Sequence, residues 1–455
     1  MTTTPPSLPA RLGEETRELL RTGSLLHELR HGLDGPYHAL FPARFDANVA
    51  AFHEVFADMG VKGRVYYAKK ANKAAVFAER AAVHGLGIDV ASHGELREAL
   101  AHGVRGADLV VTGPAKADHL LRISVLHDAL IAVDALDELD RLNALAVELD
   151  RPARVLLRRL PPAQPHSRFG MDADELESAL HRCTVADGIL MEGFSFHLSG
   201  YDTRLRGDLA AELIRLCRTA RAHGLRADRI SIGGGLAVDY VTKEDWLRFA
   251  QRQTSEHYHA GKTFSAFYPY HSPVAGAHAL RAVLATTPTG EQKSLAHLLL
   301  DNDVTLLVEP GRALLDQAGC TVFRVQGVKE RGDYTLLTVD GTSLSLSEQW
   351  FASEFLPEPL LVPAAEESEE AGTGGPYPAC VGAATCLESD MLTWRKIPFH
   401  RPPVVGDLLV YPNTAGYQMD SNESPFHDLP LPPKVVIDQA PGSPRPRWRL
   451  DRHHP

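Results

Sequence analysis

The feature that most constrains this chain is a run of short apolar segments, interleaved with helical ones, between residues 64 and 312. RVYYAKK (64–70), LGIDV (86–90), DLVVTG (108–113), ALIAVD (129–134), RVLLRRL (154–160), MEGFSFHL (191–198), RISIGGG (229–235) and TLLVEPGR (305–312) read as strands. Between most of them lie stretches with helical spacing, such as GELREALAHG (94–103) and ELDRLNALAVEL (138–149). Buried strands alternating with helices predict an α/β fold, specifically a (β/α)8 barrel of the TIM type.

The character changes beyond residue 320. TVFRVQGVKE, YTLLTVDGT, YPACVGAAT, GDLLVYPNTA and PPKVVIDQ read as extended segments between Gly and Pro, which predicts a C-terminal, mainly β domain. The expected divisions are 1–38, an N-terminal arm packing with the β domain; 39–316, the barrel; 317–440, the β domain; and 441–455, a flexible tail. Residues 240–304 are too many for one crossover, so an insertion is expected there, with FYPYHSP (267–273) as its loop-rich part. The acidic stretch 363–376 reads as a mobile loop.

Composition excludes some partners. The chain has 455 residues and a net charge of −11, which argues against a nucleic-acid or anionic-membrane surface. No apolar run reaches the length of a membrane span, and MTTTPPSLPARLGEE lacks the core of a signal peptide, so a cytoplasmic protein is expected. The five cysteines, at 183, 217, 320, 380 and 386, have no CxxC spacing, so neither a disulfide framework nor a metal site is expected.

Polar residues collect at the C-terminal ends of the barrel strands, where such folds keep their chemistry. Lys70 ends the first, Asp89 the second, and His197 the sixth; Arg158 sits late in the fifth. Gly233, Gly234 and Gly235 follow the seventh; Glu309, Gly311 and Arg312 follow the eighth. A triple glycine alone is a turn. Combined with Gly-Arg after the eighth strand it matches the usual barrel phosphate site, where bare N–H groups approach a dianion. Of the adjacent Lys69 and Lys70, strand alternation sends one inward, either as a solvated strand-end charge or as an imine-forming amine. A phosphate site with a strand-end lysine suggests pyridoxal 5′-phosphate (PLP).

The chain resembles the PLP enzymes of the alanine-racemase fold (fold type III), and within them a divergent branch of the ornithine/diaminopimelate decarboxylase family. YAKKAN matches that family's Tyr-Ala-x-Lys-Ala-Asn, and IDVASHGEL, TGPAK, SRFG, FHLSG, IGGG, VEPGR, Cys386…Asp390, VGDLLV and TAGY follow in the family's order. The resemblance implies decarboxylation of an L-amino acid through a Schiff base on Lys70 and a quinonoid intermediate. Glu309 would face the pyridine nitrogen and keep it protonated; a racemase of this fold has Arg there, which disfavours racemisation or epimerisation. His197 would stack on the ring, and Asp89 would belong to the cofactor site. Arg158 would reach the ring hydroxyl or the imine. Ser199, Gly234, Gly235, Gly311, Arg312 and Tyr417 would complete the phosphate site. Cys386 would donate a proton to Cα. With Asp390 it would come from the partner subunit of a homodimer with shared active sites.

Two departures bear on the substrate. His197-Leu198-Ser199-Gly200 exchanges the Gly and Ser of the family's His-x-Gly-Ser, and Leu387 stands where the family carries an acidic residue, with Glu388 one step later. NTAGYQMDSNESPFH (413–427) is more like the branch that includes decarboxylases of carboxylated siderophore precursors. A large or acidic side chain is therefore the expectation, met by Glu388, Asp390 and, from the insertion, Tyr270, with Tyr268 and His271 as further candidates. The alternatives are a racemase or epimerase, and a catalytically silent PLP-binding homologue.

Overall fold

The computed structural model describes residues 5–347, 353–364, 376–438 and 446–451. Most of the acidic stretch 363–376 lies outside these. The described residues divide into two compact units, one built from those within 5–45, 238–273 and 315–451, the other from 46–237 and 274–314.

The strands in chain order are β1 Tyr37–Leu40, β2 Gly63–Ala68, β3 Gly87–Val90, β4 Leu109–Val111, β5 Leu130–Val133, β6 Ala153–Arg159, β7 Ile189–Phe196, β8 Arg229–Ser231, β9 Thr305–Val308, β10 Gly319–Arg331, β11 Tyr334–Val339, β12 Leu360–Val362, β13 Tyr377–Gly382, β14 Met391–Phe399, β15 Leu408–Pro412, β16 Lys434–Asp438 and β17 Arg447–Leu450.

β2 to β9 close into a parallel barrel, with β9 returning to pair with β2. The eight apolar segments read from the sequence are its eight strands. β3, β4 and β5 are buried at every residue, because helices cover the outer face and side chains fill the inner one. Tyr66, Val110, Leu130, Leu156 and Leu307, from β2, β4, β5, β6 and β9, form a packed cluster. Local signals start the helices: Asp172 and Glu175 form a reciprocal capping box before Ala173–Val185, and Asp202 accepts from Leu205 N–H to cap Thr203–Ala222.

The other unit centres on a sheet ordered β14-β13-β11-β10-β1-β16-β17, with β15 pairing with β10 and β12. The helices Glu14–Arg21 and Gly23–Leu33 contribute Leu19, Leu25, Leu26 and Leu29 to its core, beside Tyr37, Val322, Val410 and Val435.

Three sequence expectations change. Residues 238–273 belong to the sheet-containing unit rather than to the barrel, whereas 274–314 return to the barrel unit. The physical reason is aromatic packing: Tyr240, Tyr268, Tyr270 and Trp246 meet Phe355 and one another edge to face, with centroids 5.2 to 6.1 Å apart. β1 likewise pairs with β10 and β16, which moves the start of the barrel past residue 38. Within the expected tail 441–455, β17 pairs antiparallel with β16. Among the described residues no helix is long and apolar enough to cross a membrane.

Candidate active site

β2 ends at Ala68, and the two lysines occupy a 3-10 turn, Lys69–Ala71, rather than the strand. The turn, not strand alternation, separates them. Lys69 is buried and its Nζ donates to the Lys73 carbonyl at 3.3 Å. Lys70 is 48% exposed, with Nζ 3.5 Å from Oδ2 of the buried Asp89 at the end of β3. Asp89 is held in turn by the Thr112 hydroxyl.

Glu309 follows β9. Its carboxylate accepts from the Ser231 hydroxyl at 2.5 Å, and Ser231 Oγ also accepts from Gly233 N–H. Burial, then the charge of Asp89, pushes the Glu309 carboxyl up to about 7, partly offset by the Ser231 hydrogen bond and the charges of Lys70 and Arg158. The Glu309 backbone N–H donates to the Gly233 carbonyl, and a Cβ on Gly234 would lie 2.7 Å from the Glu309 carbonyl oxygen. The glycine turn and the Glu309 loop therefore interlock as main chain on main chain.

His197 follows β7. Burial, then the charges of Lys70, Arg158 and Arg206, lower its pKa to about 4, so the imidazole is neutral at pH 7. It meets the Phe169 ring at 6.3 Å and 65°. Phe169 also has the Arg158 guanidinium 4.7 Å and that of Arg168 4.4 Å from its centroid. Arg158 Nη1 donates to Asp134 Oδ1 at 2.9 Å and to the Thr112 carbonyl. Gly311 and Arg312 are buried in the turn after β9, and the Pro310 carbonyl accepts from Ala68 N–H.

PLP fits this donor set on observations of the barrel itself. Glu309 is a half-buried carboxyl whose pKa is held up by desolvation, which a cationic ring N–H would relieve. Ser195 Oγ, on β7 two residues before His197, is buried and has no hydrogen-bond partner among the described residues. Gly233 and Gly235 both have left-handed φ, 66° and 74°, a glycine turn after β8 whose main chain can approach a phosphate closely.

The comparisons agree with that class. The profile described as "Pyridoxal-dependent decarboxylase, pyridoxal binding domain" matches residues 43–267. The uncharacterized protein y4yA of Sinorhizobium fredii is 38% identical over 443 residues, covering 96% of this chain and 95% of that one. The diaminopimelate decarboxylase of Pseudomonas aeruginosa is 27% identical over 336 residues, covering 70% and 71%. The solved diaminopimelate decarboxylase from M. jannaschi shares the fold with a TM-score of 0.74 at 18% identity, covering 94% of this chain and 91% of that one. The barrel and its strand-end residues define a PLP-binding barrel enzyme. The chain belongs to the fold-type III PLP-dependent decarboxylases, a divergent branch of the ornithine/diaminopimelate decarboxylase family, and is a PLP-dependent amino-acid carboxy-lyase.

The remaining sequence candidates are distributed differently. Ser199 is exposed, and its N–H and carbonyl are pinned by the Gln164 side chain at 3.2 and 3.1 Å; Gly200, not Ser199, turns toward the glycine loop. Cys386, Glu388, Asp390, Tyr417 and Tyr270 all belong to the sheet-containing unit. Asp390 does not present an open carboxylate: it is buried and accepts from Ser343 N–H, Thr385 N–H and the Thr385 hydroxyl, which closes its own loop. Tyr270 is fully buried and donates to the Glu354 carbonyl at 3.2 Å, so packing, not substrate contact, accounts for it. Tyr268 is buried in the same cluster, and His271 Nδ1 pairs with Asp239. Cys386 is exposed, 3.2 Å from His427 Nε2, and Glu388 is exposed. Tyr417 sits in a left-handed turn, φ 79°, after β15.

Ser231, Asp134, Thr112, Phe169 and His427 were not singled out from the sequence. Phe169 had a signal, since it lies inside SRFG. Ser231 had one too, two residues before Gly233 at a strand end.

Proposed function

We propose that the protein decarboxylates an L-amino acid with a large or acidic side chain, in a homodimer whose sites combine Lys70 of one subunit with Cys386 of the other. The observation that carries this reading is the pairing of the exposed Lys70 with buried Asp89, in the same barrel-end set of groups as Glu309 and His197. When bound, PLP supplies an aldehyde that takes the substrate amine and a ring that accepts the electron pair left at Cα. Lys70 would hold that aldehyde and release it to substrate. Glu309 would hold a proton at the ring nitrogen, which a carboxyl of raised pKa shares readily. Neutral His197 would lie flat against the ring without adding charge. Arg158, steered by Asp134, would orient the ring's polar edge, and Gly234, Gly235, Gly311, Arg312 and Tyr417 would bind the phosphate.

The thiol of Cys386 would give its proton to Cα once carbon dioxide has left. Leu387, 50% exposed beside it, offers nothing to a distal ammonium, which favours a substrate other than simple ornithine or lysine. The test is a panel of L- and D-amino acids, including acidic and bulky ones, followed for carbon dioxide release and for Cα–H exchange in deuterated water. Carbon dioxide from one large or acidic L-amino acid is expected; turnover of ornithine or lysine alone would reject the substrate assignment. Mixing Lys70→Ala with Cys386→Ala protein tests the shared site. Random reassortment should restore roughly a quarter of wild-type activity through heterodimers; no restoration would place both groups in one subunit or leave the thiol outside the reaction.

A further inference from the structure

Arg206 lies in the first turn of the helix Thr203–Ala222 and is 1% exposed. Among the described residues its hydrogen-bond acceptors are all main-chain carbonyls. Nη1 donates to Ile232 at 2.8 Å; Nη2 donates to Leu198 at 3.3 Å, Gly200 at 3.1 Å and Gly235 at 3.3 Å. Leu198 and Gly200 belong to the loop after β7, Ile232 and Gly235 to the loop after β8. One guanidinium thus ties two neighbouring barrel loops together from behind.

Folding alone does not favour this placement. A cation in the first turn of a helix opposes the macrodipole, and burying it costs more. Burial lowers the Arg206 pKa to about 10, with Asp202 and Tyr201 acting the other way. The carbonyls it gathers must point inward. Gly200, at φ 91°, and Gly235, at φ 74°, have the left-handed backbone that permits this. A Cβ on Gly235 would lie 2.4 Å from Nη2, so only glycine fits between Arg206 and the loop's open side.

We propose that Arg206 is a positioning residue for the cofactor phosphate: it fixes the loops after β7 and β8 so that their N–H groups converge on a dianion, and it sets a positive charge behind them. This deepens, and rests on, the phosphate-site reading above. It also accounts for the exchanged Gly and Ser in His197-Leu198-Ser199-Gly200, because the glycine falls where a carbonyl must reach Arg206 and the serine falls outside.

The experiment compares PLP with pyridoxal, which lacks the phosphate, by titrating each into the cofactor-stripped full chain and following imine absorbance. Wild type should prefer PLP strongly. Arg206→Met should weaken PLP about a hundredfold, and Arg206→Lys about tenfold, with pyridoxal affinity changed less than about threefold in both. Equal weakening of both ligands, or unchanged PLP affinity in both variants, would overturn the proposal. The site reading fails separately: wild type that does not distinguish PLP from pyridoxal, or Arg312→Ala that leaves the preference intact, would show that the phosphate binds elsewhere.

Discussion

The barrel end and the Cys386 loop are both built from strand-end residues, yet they differ in what fixes their side chains. In the barrel, parallel register brings the C-terminal ends of all strands to one face, so a residue ending a strand lands at the site whatever its neighbours do. In the Cys386 loop no ladder does this. Asp390 turns inward to accept three hydrogen bonds from Ser343 and Thr385, while Cys386, four residues earlier, is exposed beside His427. Position in sequence dictates position in space in the first region; hydrogen bonding within the loop dictates it in the second.

Breaking the comparison at its strongest point begins with Lys70. Lys70→Ala should remove the imine absorbance and lower kcat by about a thousandfold or more, whereas Lys69→Ala should cost stability without removing the band. A surviving band in Lys70→Ala would move the imine.

Cys386→Ala should lower kcat about 10- to 100-fold with PLP affinity unchanged. Asp390→Ala should instead act on the fold, lowering stability by about 1–3 kcal/mol by leaving loop donors unpaired. The same kinetic signature from both variants would erase the distinction between an outward thiol and an inward carboxylate.

Glu309 links function to stability. Its folded pKa, about 7, lies above the 4.5 of an ordinary glutamate. The unfolded chain therefore ionises first, and cofactor-free protein loses stability as pH rises from about 4.5, with the full loss reached above about 7. Glu354 in the other unit, also pushed up to about 7 by burial, adds a slope of the same sign. Glu309→Gln should lower kcat sharply yet raise cofactor-free stability at pH 8 by up to about 3 kcal/mol, with no gain at pH 4. Thermal melts at the two pH values check this; an equal change at both would deny that the carboxyl is strained. The smallest effect is at Tyr270. Tyr270→Phe should cost about 1 kcal/mol of stability and leave KM unchanged, as expected of a core hydroxyl.

These differences explain what could be read in the sequence. The eight barrel strands were visible because each is a short apolar run closed by polar or glycine residues, and their order alone places Lys70, Asp89, His197 and Glu309. The affiliation of 238–273 was not visible, since Tyr240 and Tyr270 find their partner Phe355 more than eighty residues away. Arg206 reads as a surface arginine in TRLRGDLAAELIRL. Its helical spacing to the buried Leu209, Ala210 and Leu213 was the signal that it faces inward. His427 had no comparable signal, because it reaches Cys386 from an irregular segment with left-handed backbone, φ 62°.

The central claim is that the barrel end holds PLP through Lys70. The most direct test is reduction of the purified yellow protein with borohydride, followed by mass mapping of the labelled peptide. Pyridoxyl attached to Lys70, and released from the protein by prior addition of a substrate amine, is the result this account predicts. Label on Lys69, or on any residue of the sheet-containing unit, would contradict it.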